Sequence, residues 1–374
     1  MSWAASGGGL VSVFDATNFT RLRNDMPLIR GHTGPVTDVK FSPFRTNLLA
    51  TASDDSTVRL WEIPQAGIEE NMVEQQKFTG HSKKVGILAF NPVVDEVIAS
   101  ASFDNTVNIW NICNGTSYAK QSFGDGILSL DWNHNGSLIG LTTKQKVVNV
   151  LDPRTGNVTL TSPGHESGKT QKMSFLDANF LFTCGFSRGN ERQIKLFDMR
   201  NFSEPVQTCH VDGQSGVMMP FFDPDTGLIF VPGRGEGNVK YYDFSNSTIK
   251  FANEYRSTTP QKGMSFFPKR SMNYNRCEIT RFAKLTTNSI EYLSFYVPKR
   301  NEGYDASVYP DCISGEPALG VEEWLKGENR DPIRKNITTL ENKWNVSQMT
   351  FEKKVEVVEE KKTGDNEFEA KVIY

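Results

Sequence analysis

Residues 31–61, GHTGPVTDVKFSPFRTNLLATASDDSTVRLW, decide the fold of this chain. The stretch opens on a Gly-His pair and closes on Leu60-Trp61, with short runs of alternating apolar residues between them. Such alternation indicates half-buried β-strands, and clusters of Gly, Pro, Asn and Asp mark the turns. The stretch therefore predicts three short strands joined by tight turns.

The same arrangement recurs along the chain with decreasing fidelity. The apolar-aromatic strand end returns at Ile109-Trp110, Val150-Leu151, Leu196-Phe197 and Tyr241-Tyr242, at spacings of 49, 41, 46 and 45 residues. The Gly-His pair returns at Gly80-His81 and Gly164-His165. A period of about 40–45 residues with this signature is typical of WD-repeat β-propellers, whose blades have four strands each. The sequence thus predicts an all-β WD-repeat β-propeller.

The number of blades follows from the number of predicted strands. Residues 36–256 supply five complete blades, whereas residues 7–30 supply two strands and residues 262–297 supply three. A propeller ring must close, because an open end leaves an unpaired strand edge. We therefore predict a seven-bladed architecture with two blades incomplete in this chain, and we expect the natural N-terminus to be longer.

Composition excludes several classes of protein. The net charge is −3 with 23% charged residues, which argues against nucleic-acid binding driven by bulk charge. The five cysteines form no C-x-x-C pair, which fits a reduced intracellular compartment. No apolar run approaches the roughly 20 residues that span a bilayer, so we predict no membrane span.

The polar residues of the signature have a structural explanation. A blade is buried between its neighbours, so polar side chains within it must be paired. In WD-repeat proteins the His, a Ser or Thr, the turn Asp and the Trp form a hydrogen-bonded line. By resemblance, one line contains His32, Asp55 and Trp61, another contains His81, Asp104 and Trp110, and His165 has the same structural role. The Ser/Thr member lies within 48–53 or 98–102, and the sequence does not say which residue it is.

The less regular repeats resemble those of coronins. The matching segments are FSR (186–188) with ERQ (191–193) and LFD (196–198), PFFDPDT (220–226), GRGEGNVKYYD (233–243), KGMSFFPKRSMNYNRCEITRFAKL (262–285), YPDC (309–312), EEW (322–324) and DP (331–332). This set in this order is specific to coronins, and the resemblance runs from about Ser6 to Pro332.

The resemblance implies an F-actin-binding protein that regulates filament organisation and turnover. It implies no enzymatic activity, a location in the cytoplasm at the actin cytoskeleton and cell cortex, and the Arp complex and cofilin as further partners. It also implies that residues 1–298 form the propeller and that 299–332 form a C-terminal extension packed on it. The sequence pattern itself predicts a short helical piece at about 316–326 within that extension. Residues 333–374 are a polar tail that we expect to be flexible.

Two features depart from the coronin pattern. The usual N-terminal segment with a basic actin-binding loop is absent before Ser6, and no sustained heptad follows Pro332, so we predict no coiled-coil oligomer. A WD-repeat scaffold for a non-actin complex, in trafficking or membrane fusion, is the alternative function. A propeller hydrolase with a channel metal needs carboxylates or His at inner-strand starts, and the sequence shows no such set.

Candidate contacts are sought among cations in turns, because actin filaments have acidic surfaces. They are Lys83, Lys84, Arg188, Arg192, Lys269 and Arg270. The alternative for each is a solvated turn, or, for Arg188 and Arg192, a bond to a neighbouring carbonyl or acid. The adjacent pairs 83–84 and 269–270 are favoured, because paired charges in turns are less easily structural.

No catalytic, cofactor or metal site is predicted. His134 and His210 have no partner in the sequence that would suggest a triad or a metal site. The GRGEG stretch at 233–237 lacks the Lys-Ser/Thr and the helix of a phosphate loop.

Overall fold

The computed structural model describes residues 2–5, 8–16, 26–64, 67–68, 72–298, 303–340 and 369–373. Strand is the main regular structure in these ranges, and the α-helix is limited to Val321–Leu325 (α1). Six four-stranded sheets contain most of the strands. The all-β prediction is therefore confirmed.

The strands follow one another in chain order. The N-terminal pair is β1 (Ser2–Ala5) and β2 (Leu10–Val13). Sheet 1 contains β3 (Val36–Phe41), β4 (Leu48–Ser53), β5 (Val58–Glu62) and β6 (Gln76–Phe78). Sheet 2 contains β7 (Val85–Phe90), β8 (Val97–Ser102), β9 (Thr106–Asn111) and β10 (Ser117–Ser122). Sheet 3 contains β11 (Ile127–Trp132), β12 (Ile139–Thr143), β13 (Val147–Leu151) and β14 (Val158–Pro163).

The second half of the chain continues the series. Sheet 4 contains β15 (Lys172–Phe175), β16 (Phe180–Phe186), β17 (Arg192–Asp198) and β18 (Gln207–Asp212). Sheet 5 contains β19 (Phe221–Asp223), β20 (Leu228–Pro232), β21 (Val239–Ser245) and β22 (Thr248–Tyr255). Sheet 6 begins with β23 (Gly263–Phe266), β24 (Glu278–Leu285) and β25 (Ile290–Tyr296). The short strands β26 (Cys312–Ile313) and β27 (Arg334–Lys335) pair with each other, and β28 (Glu369–Ile373) is the fourth strand of sheet 6.

Burial explains why strands of this composition stack as they do. The second and third strands of sheet 2, VIASAS and TVNIWN, are buried at every residue, whereas the residues of its fourth strand SYAKQS are exposed or half-buried. A strand that is buried on both faces consists mainly of apolar or small residues, and a strand with one solvent-exposed face carries polar residues on that face. The sequence of each repeat therefore sets which of its strands is covered on both faces.

The chain divides into two compact units. Unit 1 contains residues 1–189, 197–206 and 315–332, and unit 2 contains residues 190–196, 207–314 and 333–374. The core of unit 1 is mainly aliphatic with the indoles of Trp110 and Trp132. The core of unit 2 is aromatic, with Phe230 in contact with the rings of Phe282 and Phe295 at centroid distances of 5.1 and 4.8 Å.

The N-terminal strands differ from those predicted. The strand predicted over 7–14 is β2, and it pairs with β1, which was not predicted. The second predicted strand, over 26–30, is reduced to one bridge in which Val11 and Ile29 exchange backbone hydrogen bonds of 3.2 and 2.9 Å.

The segment after Pro298 also has described structure. In unit 1, helix α1 lies within the predicted 316–326, and its Trp324 is fully buried in the same apolar cluster as Trp132. The Trp324 indole N–H donates to the Gly136 carbonyl at 2.8 Å, and the Arg154 guanidinium lies 5.4 Å from the Trp324 ring. In unit 2, the buried Tyr309 hydroxyl donates to the Glu278 carbonyl at 2.9 Å.

Regular structure also occurs in the stretch predicted as a flexible tail. Residues 333–340 contain β27 and a 3-10 turn at Ile337–Thr339, and residues 369–373 form β28 against β25. The rest of 333–374 lies outside the described residues, and the boundaries at 298 and 332 remain predictions. No helix in the described ranges is long and apolar enough to cross a membrane.

Candidate interaction surface

Sheet 1 contains a hydrogen-bonded line of four polar groups. The Trp61 indole N–H donates to the Thr51 hydroxyl at 2.9 Å, and 2.7 Å separates that hydroxyl from Nε2 of His32. On the other side of the imidazole, Nδ1 lies 2.9 Å from Oδ2 of Asp55. The structure thus joins the residues predicted for this line and identifies Thr51 as the Ser/Thr member.

Sheet 2 repeats the line. The Trp110 indole donates to the Ser100 hydroxyl at 2.7 Å, and that hydroxyl lies 2.8 Å from Nε2 of His81. Nδ1 of His81 lies 3.1 Å from Oδ2 of Asp104. In both sheets the hydroxyl residue stands ten positions before the Trp. Spacing alone could not have identified it, because Ser53 and Ser102 also share one spacing, eight positions before the Trp.

The first residue of each Gly-His pair must be glycine, because it packs closely against the Trp of its own hydrogen-bonded line. A Cβ atom on Gly31 would lie 2.6 Å from Cη2 of Trp61, and one on Gly80 would lie 3.0 Å from Cη2 of Trp110. Contacts this short force a shift of the backbone or the ring. The Gly therefore allows the chain to cross the indole and place the following His in the line.

Both imidazoles of the two lines are held in the neutral form. Burial is the largest influence on His32 and His81, and it lowers the pKa of each below 6.5, although the partner aspartate acts in the opposite direction. A neutral imidazole gives a consistent line, in which Nδ1–H donates to the carboxylate and Nε2 accepts from the hydroxyl. The carboxyl of Asp55, a hydrogen-bond acceptor, has its pKa lowered to about 2.

We expect stability to fall as the pH drops below about 6.5. In the unfolded chain His32 and His81 bind protons near that pH, whereas in the folded chain their lowered pKa keeps them neutral. Folding is therefore weakened on acidification by at most about 1.4 kcal/mol per pH unit for each imidazole. Thermal unfolding followed between about pH 7.5 and pH 5.5 measures this effect.

The control for the pH effect is His32→Gln with His81→Gln. This double variant should be less stable at neutral pH and should lose less stability on acidification. An unchanged pH slope in the double variant contradicts the assignment.

The hydrogen-bonded line is incomplete in the next two sheets. At the matching positions of sheet 3, Leu141 and Leu151 are both buried. In sheet 4, His165 is buried and its Nε2 lies 2.9 Å from the Thr183 hydroxyl, but Phe197 replaces the Trp. Apolar packing replaces the line at the matching positions of sheet 3, whereas sheet 4 keeps the His-to-Thr contact and loses the Trp member. The signature therefore weakens while the four-stranded sheets persist.

Lys83 and Lys84 lie in the turn before β7. Ser102 at the end of β8 donates its hydroxyl hydrogen bond to both lysine carbonyls, at 3.0 and 2.9 Å, which fixes the backbone of the turn. The Lys83 side chain is exposed, and the half-buried Lys84 places its ammonium 4.2 Å from the centre of the Phe103 ring. The structure therefore holds this pair of cations at the surface of sheet 2.

Arg188 and Arg192 have different environments. Arg188 is exposed in the turn before β17. Arg192 is only 3% exposed, and its guanidinium binds Asp212 at 2.6 Å and Glu236 at 2.8 Å. As a partner contact, Arg192 would need to be an exposed cation. The structure instead shows the alternative named from the sequence, in which Arg192 binds neighbouring acids.

Lys269 and Arg270 lie in a 3-10 turn, Lys269–Ser271. The Lys269 ammonium binds Oδ2 of Asp223 and the carbonyl of Ile279, both at 2.5 Å. Arg270 is half-buried. Lys269 thus neutralises an aspartate that is itself only 3% exposed. Its charge is already paired, so the adjacent cations at 269–270 do not by themselves indicate a surface available to a partner.

Further turn cations that the sequence reasoning did not single out are Lys144, Lys146 and Lys169. All three are exposed, in the turn between β12 and β13 or in the segment before β15. The signal that could have found them is their position, because they occupy the turns of sheets 3 and 4 that match 83–84 and 104–105 of sheet 2. The described residues contain no cluster of three His, Cys, Asp or Glu side chains suited to a metal ion.

The repeated four-stranded sheets and the His-to-Trp lines define the class of protein, which is a WD-repeat β-propeller. In the described residues six of its blades are four-stranded sheets. A family model described as a WD domain, G-beta repeat, matches residues 25–62 and 72–111, and one described as a type of WD40 repeat matches residues 290–332.

Three relatives identify the family. Coronin-A of Dictyostelium discoideum is 42% identical over 336 residues, covering 88% of this chain and 75% of that protein. Human Coronin-2A is 38% identical over 340 residues, covering 88% of this chain and 65% of that protein. The crystal structure of the WD40 domain from Toxoplasma gondii coronin has a TM-score of 0.86 at 34% identity, covering 90% of this chain and 88% of that one. The chain therefore belongs to the coronin family, and the resemblance stated from the sequence is confirmed.

Proposed function

We propose that this chain is an actin-filament-binding protein that regulates filament organisation and turnover, and that it acts without enzymatic activity. Membership of the coronin family is the observation that carries the proposal. The turn at 83–84 supports it, because it presents two cations on a fixed backbone, as an acidic filament surface requires.

The finer architecture belongs to the same proposal. We propose seven blades, of which the pair β1–β2 with the bridge at Ile29 is the described part of the seventh. We also propose that residues 299–332 are an extension packed on the propeller, supported in unit 1 by the buried Trp324. The cytoplasm at the actin cytoskeleton and cell cortex is the proposed location, with the Arp complex and cofilin as proposed further partners.

Charge reversal at Lys83 and Lys84 should weaken filament binding. We expect Lys83→Glu with Lys84→Glu to lower the affinity about tenfold or more at low salt, because opposite charges attract across the interface and like charges repel. Cosedimentation with actin filaments over a series of salt concentrations measures the effect, and wild-type binding should fall as salt rises.

The matched control is Lys250→Glu, a charge reversal at an exposed lysine on β22 of sheet 5. Both variants should keep the stability of the wild type to within about 0.5 kcal/mol, since exposed substitutions rarely change it more. Wild-type protein that stays in the supernatant at low salt contradicts the proposal. A pull-down without actin but rich in another complex favours the alternative of a WD-repeat scaffold.

A further inference from the structure

Sheets 2 and 3 and the first two strands of sheet 4, which lie in unit 1, carry cations at corresponding ends. In each sheet the first strand begins where the second strand ends, as the pairs Val85–Ser102 and Lys172–Cys184 show. The segment before the first strand and the turn after the second strand therefore share one end of the sheet. The cations at these ends, which we call the basic rim, are Lys83, Lys84, Lys144, Lys146, Lys169 and Arg188.

The charge of the basic rim is not neutralised within the described part of the chain. There, none of its six side chains forms an ion pair with a carboxylate. Four acids lie in the same segments and turns of these sheets. Asp104 accepts from the Ser82 N–H and contacts His81. Asp125 accepts from the following backbone N–H, and Glu191 lies 3.7 Å from His210. The fourth, Glu166, is exposed three positions before Lys169. In unit 2, by contrast, Arg192 and Lys240 both bind Asp212.

Two aromatic rings position rim lysines in the same way. The Lys84 ammonium lies 4.2 Å from the Phe103 ring centre in sheet 2, and the Lys169 ammonium lies 4.4 Å from the Phe186 ring centre in sheet 4. A cation over an aromatic face keeps its charge and loses freedom, so less entropy is lost when it binds an anion. Phe103 is itself 43% exposed, which is unusual for so large an apolar side chain.

A groove of about 430 Å³ opens between these turns in sheet 3. Its lining includes Gln145, Lys146 and Ser162, and also one acid, Glu166. The Ser162 side chain is 1% exposed, and its hydroxyl has no hydrogen-bond partner among the residues that the structure describes. The Ser162 hydroxyl and the Lys146 ammonium are hydrogen-bond donors in the lining of one groove, and a carboxylate accepts from donors of both kinds.

We propose that the basic rim is one continuous docking surface for a carboxylate-rich protein surface, with Phe103 as its apolar contact. The inference rests on the proposed function, because it identifies which part of the chain meets the filament and by what chemistry. Sheets packed face to face lie about 10 Å apart, so the cations of three sheets extend over roughly 20 Å. One phosphate group contacts only part of such a surface, whereas carboxylates spread over a protein face can contact all of it.

The test removes the rim cations that lie outside the 83–84 turn. Lys144→Glu, Lys146→Glu and Lys169→Glu are combined, with Lys250→Glu as the control. We expect filament affinity to fall about tenfold or more and the dependence of binding on salt to become shallower. Circular dichroism establishes that the variant is folded, and a triple Lys→Gln variant, which adds no negative charge, replaces it if it is not.

Each result supports or overturns the inference. If the triple variant binds filaments like the wild type while the 83–84 variant does not, the inference is overturned and the proposed function stands. If the wild type does not bind filaments, the proposed function fails, and direct titration with polyglutamate decides whether the rim binds carboxylates. Inhibition of filament binding by inorganic phosphate but not by polyglutamate, at equal ionic strength, also overturns the inference.

Discussion

Trp110→Ala should destabilise unit 1 by about 3–5 kcal/mol, because truncation of a buried Trp leaves a cavity that its neighbours fill only in part. The indole is 2% exposed, and its ring stacks on Phe78 at a centroid distance of 5.3 Å. It packs among Leu60, Leu88 and Ile98 from two adjacent sheets. The substitution therefore removes contacts across an interface between blades as well as within one.

Differential scanning calorimetry gives the midpoint of this loss, and hydrogen exchange over residues 85–111 gives its location. The control Trp110→Phe keeps one aromatic ring but removes the rest of the indole and the hydrogen bond to Ser100, so we expect a smaller loss of about 1–3 kcal/mol. A loss as small for Ala as for Phe would mean that the indole packs loosely. The 83–84 charge reversal should leave the same midpoint almost unchanged.

The repeat itself could be predicted because its determinants are local in sequence. Period-2 alternation, turn residues and the Gly-His and Trp positions all lie within one repeat of about 45 residues. The His, Asp and Trp of each hydrogen-bonded line were predictable for the same reason. The hydroxyl member was not, because Thr51 and Ser53 both have counterparts at the same spacing in the next repeat. What failed was the strand that requires a distant partner: β28 pairs with β25 across more than 70 residues, and no local pattern specifies that pairing.

The environment of single cations could not be predicted, because a charge pattern does not show what lies opposite a side chain. Lys83 and Lys269 each begin a pair of adjacent cations in the sequence, and only the former is free of an ion pair with a described carboxylate. Lys269 binds Asp223, which is 46 positions away and is brought close only by the packing of sheets 5 and 6. The distinction between a framework cation and a surface cation is therefore tertiary information.

Arg192→Met should destabilise unit 2 by about 3 kcal/mol, near the low end for a broken buried ion pair. Two bidentate contacts are lost, to Asp212 and to Glu236. Asp212 keeps the Lys240 ammonium at 2.7 Å, whereas Glu236 loses its ion-pair partner in the described part of unit 2. The two carboxylates are about one-fifth exposed, so water relieves part of the cost.

The pH dependence separates this ion-pair effect from simple loss of packing. The hydrogen bond to Arg192 holds the pKa of Asp212 below its usual value of 3.8, against the opposing effect of burial. A lowered carboxyl pKa stabilises the fold above pH 3.8, and this contribution disappears as the pH falls. The difference in stability between wild type and Arg192→Met should therefore shrink on acidification towards pH 3.8 and below.

Two further variants decide the role of Arg192. Adding Glu236→Gln to Arg192→Met removes the uncompensated carboxylate, and we expect it to restore part of the lost stability. Arg192→Lys keeps the charge without the planar fork, so its cost should be intermediate. A folded Arg192→Met protein should bind filaments like the wild type, because a side chain that is 3% exposed has little surface to offer a partner. Weaker filament binding without lower stability would instead mean that Arg192 contacts the filament. Its ion pairs with Asp212 and Glu236 would then have to break on binding.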